Sequence, residues 1–435
     1  MPPKSTSNKG RSPSPKGRSP SPKRRSPRKS RSPSPGKKSN SAKSSSKTGK
    51  KQSRGQGKFI KSVESLRQGQ DLKITFQGDE MDPTLINALR RTLIAEIPTY
   101  SLSKNLTPLS NTTVAFKNNE CVIDRFSLMP IFVKDRQQAN FLEQDIYFYV
   151  CAQGDPDHPL VNEDDQDLEV NAWNLQIFDS HKNPVKLSIK ELILYNQPLL
   201  KLRKGEEFHF RGQIAKGVGH YNTTFKGCRV AYKYENQVSL SKPSPDSKKS
   251  PITGKPLETL QDKRDFQMNR WGNPQHISLT LKPLGHYEPA VCFEIALETL
   301  EQKLLILQNL LGNPNQYTST KLQIIPDTNI ENRIIIKIQD IVKTEDFLAS
   351  HTIGEMVTRH MYYKLIDKVN NNLDKVRESL VSFRRMHRLD PVIIIDIKTP
   401  SGLYSKSDDP PIQLFNETID DLLSYINQLK QDLKS

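Results

Sequence analysis

The chain has 435 residues, enough for two or three domains, but only 34% are hydrophobic, and 30 prolines accompany a formal net charge of +17. Residues 1–58 hold 19 Lys and Arg and no Asp or Glu, leaving 46 basic against 48 acidic residues in the remainder. This excludes a uniformly basic folded surface as the source of the high pI. No apolar run is long enough to span a bilayer, and no apolar core follows the basic residues at the start, so neither a membrane span nor a secretory signal is expected.

Residues 1–58 repeat Arg-Ser-Pro-Ser-Pro from Arg11, Arg18 and Arg31. With almost no apolar side chains this segment cannot offset its ordering entropy and is expected to be a disordered basic tail. Its chemistry suits non-specific nucleic-acid binding or nuclear import, and its Ser-Pro steps resemble proline-directed kinase sites.

Order is expected from Phe59. Residues 72–76 alternate apolar and polar as a half-buried strand does. Asp82 offers an N-cap and Pro83 suits the first helical position. Leu85, Leu89 and Leu93 then form one apolar stripe, with Arg90 and Arg91 off it. Strands are expected at 112–116 and 121–124. Residues 141–235 read as a compact, mostly β insert, with strands at 146–150, 175–178, 207–213 and 229–234 and an acidic loop at 155–167. Residues 236–272 read as a mobile loop in which Phe266 and Trp271 are the candidate anchors.

A strand is expected at 277–281 and a helix at 289–311, whose face carries Leu297, Leu300, Leu304, Leu307 and Leu311. Beyond it come a strand at 334–338, a helix at 352–365, a strand at 392–397 and an amphipathic helix at 412–433 bearing Leu422, Ile426 and Leu429. The residues 84–93 and 352–361 form a repeat. Thr84 aligns with Thr352, Leu85 with Ile353, Leu89 with Val357, Arg91 with Arg359 and Leu93 with Met361. Two like modules that pack on each other follow from such a repeat.

Cys121, Cys151, Cys228 and Cys292 lie far apart without a Cys-x-x-Cys pair, so reduced thiols are expected rather than zinc or a disulfide framework. No phosphate-binding glycine loop, His-Glu-x-x-His or Gly-x-Ser-x-Gly is present. Glu163, Asp164, Asp165 and Asp167 sit together but without a companion motif, which favours a solvated loop over a magnesium site. His351 heads a helix, where capping or packing is the better reading. No catalytic residue, metal or cofactor is predicted.

The run from Asn87-Ala88-Leu89-Arg90-Arg91 to Thr99 resembles the signature of the bacterial α and archaeal D subunits of RNA polymerase, and of the third subunit of eukaryotic RNA polymerase II. Residues 111–114 and 124–131 resemble the next block, and 200–207 with 215–219 a block of the insert. His351-Thr352-Ile353-Gly354, residues 391–399 and the last helix resemble the archaeal L and eleventh polymerase II subunits. The resemblance covers roughly residues 70–435. It implies an α+β fold, with a D-like module at 59–140 and 273–313 carrying the insert, and an L-like module at 321–435. The two modules form an intramolecular pseudo-dimer through their long helices.

The implied role is a non-catalytic assembly platform. Asn87, Arg90, Arg91 and Arg359 would face the large subunits. His351, Thr352 and Gly354 carry the family pattern. The implied partners are the largest and second-largest polymerase subunits, small assembly subunits, template DNA through the whole complex, and nucleic acid at the tail. The chain departs from the family in fusing both modules, as polymerases of large double-stranded DNA viruses do. It also lacks the cysteine cluster of many D-like inserts and has Ile86 where glycine is common. A virion and infected-cell location, nuclear or in a cytoplasmic factory, is the expectation; otherwise the nucleus. The competing expectations are a tail-driven nucleic-acid-binding protein with a near-neutral folded part, and a homodimeric structural protein.

Overall fold

The computed structural model describes residues 59–112, 119–144, 146–153, 168–185, 187–236, 265–312, 322–339, 350–370, 372–385, 391–404 and 409–434. The basic tail, the acidic loop, most of 236–272 and the link between the modules lie outside these residues.

In chain order the elements are β1 (Ile60–Leu66), β2 (Asp71–Gln77), α1 (Pro83–Ala95), β3 (Pro98–Asn111), α2 (Asn119–Ser127), α3 (Arg136–Leu142), β4 (Tyr147–Gln153), β5 (Leu168–Asn171), β6 (Gln176–Phe178), α4 (Ile189–Leu192), β7 (Pro198–Leu202), β8 (Glu207–Val218), β9 (Cys228–Tyr234), β10 (His276–Pro283) and α5 (Pro289–Gly312). The chain continues as β11 (Leu322–Pro326), β12 (Arg333–Gln339), α6 (His351–Lys368), α7 (Leu373–Glu378), β13 (Leu380–Arg385), β14 (Val392–Lys398) and α8 (Pro410–Lys434).

Three sheets have four strands each. Their orders are β1-β2-β10-β9, β11-β12-β14-β13 and β3-β8-β4-β6, and β5 pairs with β7 alone. The first two sheets are built alike. In each, an antiparallel hairpin leads to a helix, and the chain returns through an edge strand and an inner strand to a long helix. The strand–helix repeat read from the sequence therefore extends to topology. One face of each sheet is apolar and lies under the helices. Ile74, Phe76, Ile277 and Leu279 supply it in the first sheet, and Ile336, Ile338, Ile393 and Ile395 in the second; all are fully buried.

Several expectations shift. Residues 121–124, expected as a strand, lie in α2, because Val122 and Phe126 are both buried at helical spacing. Residues 229–234, expected in the insert, form β9 and pair with β10 in the first sheet. Conversely, β3 pairs with β8 over most of its length, with three register shifts, so the sheet that holds the strands expected in 141–235 already includes residues from Pro98. Polar composition hid β3, since Ser, Thr, Asn and Lys dominate its sequence and bulges break its alternation.

Candidate assembly interface

The centre of the molecule is the junction where α1 meets α6 and α5 meets α8. α1 starts as the sequence predicts. Asp82 accepts from the Thr84 amide at 2.9 Å and Pro83 occupies the first turn. Burial pushes the Asp82 carboxyl up, against the two Thr84 hydrogen bonds that pull it down. Leu85, Ile86, Leu89 and Leu93 face inward. At the other end, Glu96 caps α1, accepts from Thr92 Oγ1 at 3.0 Å and pairs with Lys303 Nζ of α5 at 2.8 Å. Both members of this ion pair are nearly sealed from water, with side chains 4% and 7% exposed.

α6 starts at Ser350, whose Oγ accepts from the Ile353 amide at 3.3 Å. Gly354 lets the helix settle on β13, since a Cβ there would lie 2.8 Å from Phe383 Cδ2. His351 packs edge-on against the same ring, with centroids 5.1 Å apart. In the first module Ile86 stands at the aligned place and is fully buried, so no glycine is needed there.

The arginines singled out by the sequence are brought to this junction. Arg91 Nε donates to Thr352 Oγ1 at 2.8 Å, a bond from the first module to the first turn of the other module's helix. Arg359 Nε donates to the Tyr363 hydroxyl at 2.6 Å, and its guanidinium lies 5.0 Å from the centre of that ring. Arg90 donates twice to Asn87 Oδ1, both at 3.0 Å, which fixes its fork on the helix surface. Arg91 and Arg359 remain exposed, and Asn87 and Arg90 are half-exposed.

The long helices close the junction. Leu297, Leu300, Leu304, Leu307 and Leu311 of α5 and Leu422, Ile426 and Leu429 of α8 are all buried. Two polar ties cross the seam. Lys430 pairs with Glu301, and Gln308 Nε2 donates to Asp420 Oδ1 at 2.6 Å. Asp432 near the end of α8 accepts the amides of Phe59 at 2.7 Å and Ile60 at 3.1 Å.

Residues 265–272, which the sequence placed in a mobile loop, and the neighbouring 273–275 also contribute contacts. Trp271 stacks flat on Tyr363 of α6, with centroids 4.5 Å apart and planes 6° from parallel. Asn273 Nδ2 donates to the Tyr363 hydroxyl at 2.7 Å. Arg270 bridges Glu80 at 3.1 Å and Asp367 at 2.9 Å, and the Tyr425 hydroxyl of α8 donates to the other Glu80 oxygen at 2.6 Å. Trp271 is thus an anchor, as its apolar character suggested, and Phe266 packs edge-on against Tyr234 at 6.0 Å. Asn273, Glu80, Lys303 and Glu96 carried no sequence signal of their own.

Among the described residues, no group of three or more His, Cys, Asp or Glu is placed to hold a metal, and no helix is long and apolar enough to cross a membrane. The Cys151 sulfur meets His209 Nε2 at 3.2 Å, a pair too small for a metal site.

The two helix-bearing sheets thus share one strand order and meet helix to helix. The family model described as the RNA polymerase Rpb3/Rpb11 dimerisation domain matches residues 75–304, more than half of the chain. The chain belongs to this family. Similar curated proteins include subunit 3B of DNA-directed RNA polymerases IV and V from Arabidopsis thaliana, 24% identical over 190 residues, which are 40% of this chain and 58% of that protein. Subunit 3 of DNA-directed RNA polymerases II, IV and V from the same plant is 23% identical over 197 residues, 42% of this chain and 60% of that one. The Rpo3 subunit of Thermococcus kodakarensis is 26% identical over 174 residues, 40% of this chain and 60% of that one. The chain thus spans about 60% of the length of these relatives.

Proposed function

We propose that this chain is the non-catalytic assembly platform of its polymerase, a D-like and an L-like module fused into one intramolecular pseudo-dimer. In this reading, residues 98–225 are the insert of the D-like module. The two largest subunits gather on the α1 and α6 surface through Asn87, Arg90, Arg91 and Arg359. Small assembly subunits bind elsewhere on the platform, and template DNA is met only by the whole complex. The basic tail adds non-specific contact with nucleic acid. Fusion of the modules favours a polymerase of the large-DNA-virus kind, acting in the infected cell.

The observation that carries the reading is the internal symmetry of the junction. α1 and α6, the two repeat helices, pack on each other while leaving Arg91 and Arg359 exposed and Arg90 half-exposed. Arginine suits such a surface, because its planar fork pairs with carboxylates or carbonyls as water is expelled.

The test is affinity purification of the full chain from its native cell, with Arg90→Glu/Arg91→Glu compared against Thr352→Val. Arg90→Glu/Arg91→Glu should lose both large polypeptides while melting close to Thr352→Val, which lacks the same internal bond. Thr352→Val removes only the internal bond to Arg91 and should keep them. Retention of both polypeptides by the double variant would refute the assigned surface.

A further inference from the structure

The second sheet has two faces of different character. Its inner face is buried under α6 and α8. Its outer face carries Ile325, Ile335, Ile394 and Val392, residues a solvated sheet face ordinarily replaces with polar ones. Ile325 is 48% exposed and its cross-strand partner Ile335 is half-exposed. The equivalent face of the first sheet differs. There Thr75 and Ser278 pair across β2 and β10 and are only 5% and 1% exposed. At their centres the two sheets therefore differ on this face: a covered Thr–Ser pair in the first, accessible isoleucines set among polar residues in the second.

Charge gives the accessible face a direction. Lys337 and Arg384 flank Ile394 from both sides in register, and Lys398 lies two rows further along the face, beyond Asp396 and beside Arg333. None of Lys337, Arg384 and Lys398 has an ion-pair partner among the described residues. Arg333, by contrast, is held by Asp396 at 2.7 Å and Asp327 at 3.0 Å.

We propose that this outer face is a docking surface for an acidic polypeptide segment in extended form, its carboxylates set against Lys337, Arg384 and Lys398 and its aliphatic side chains on Ile325, Ile335 and Ile394, which span two neighbouring rows. β11 and β13 are sheet edges, so an extended segment can also find open backbone groups beside the face. The chain's own basic tail is the wrong sign to be the occupant. Nucleic acid fits less well, because the face offers no aromatic ring for a base to stack on and keeps Asp396 and Asp327 where phosphates would lie. This inference does not depend on the polymerase reading.

The test uses the full chain and fluorescence anisotropy with three labelled probes: a peptide of alternating Glu and Val, one of alternating Glu and Ser, and a single-stranded oligonucleotide. The Glu–Val peptide should bind tightest, and Lys337→Glu/Arg384→Glu/Lys398→Glu should weaken it at least tenfold. The corresponding triple alanine variant should weaken it less, and reversing Arg24, Arg25 and Arg28 in the tail should leave the face-dependent part intact. A photo-crosslinker at Ile325 should join the Glu–Val peptide. Equal binding of the two peptides, loss of binding only through the tail reversal, or crosslinking at Ile325 to the oligonucleotide alone would overturn the proposal.

Discussion

Glu96 and Lys303 are the most consequential pair in the junction that lies away from its arginines. They join the end of α1 to the middle of α5 out of reach of water. Lys303→Met strands a buried carboxylate and should cost roughly 3–5 kcal/mol, whereas Lys303→Met/Glu96→Leu should recover most of that, since a buried pair is worth little more than good apolar packing. Calorimetric melting of the three proteins reads this directly, and a single variant as stable as the parent would mean the pair is not sealed. His286 makes a second prediction. It is 3% exposed, and burial lowers its imidazole to about 4. The folded state keeps it neutral while the unfolded chain protonates near 6.5. Its contribution is therefore full above that pH and is lost as pH falls toward 4, by roughly 3 kcal/mol in total. Urea midpoints from pH 7.5 to 4 should fall more steeply in the parent than in His286→Leu. Neither residue was legible beforehand, because each acts through partners far along the chain; Lys303 lies 207 residues from Glu96.

At the level of elements, the fit of α6 on β13 turns on one missing side chain. Gly354→Ala would push a methyl group into Phe383 and should destabilise by about 1–3 kcal/mol, with Phe383→Leu restoring much of it. If the alanine variant melts with the parent, helix and strand are not in the contact described. The helices were the readable part of the sequence. α1, α5, α6 and α8 each carry an apolar stripe at helical spacing, and Asp82 marks the start of α1. Edge strands were harder. β13 has exposed and half-exposed positions in alternation and no fully buried residue, so its pattern resembles a loop. In α2 the run Cys121-Val122-Ile123 suggested a strand, and burial of Val122 and Phe126 overrode that preference.

Over the whole molecule, the repeat at 84–93 and 352–361 suggested two like modules, and the family resemblance implied that their long helices pair. The sequence marked Trp271 as an anchor but not its partner, because a single Trp in polar surroundings has no periodicity to show that it stacks on Tyr363 of α6. If the modules form a pseudo-dimer, the covalent link at 313–321 is dispensable. Fragments 1–312 and 322–435 made together should then co-elute as an equimolar complex, and either made alone should aggregate through its bared leucine face. Separate elution of two soluble fragments would count against the pairing. The grip of Asp432 on Phe59 and Ile60 also sets a timetable. The acceptor lies 372 residues after the Ile60 amide it holds. At about 5–20 residues per second, a ribosome takes roughly 20–75 s to deliver the one after the other. For that interval β1 has its hairpin partner but not its clasp, so the first strand to leave the ribosome is among the last to be locked.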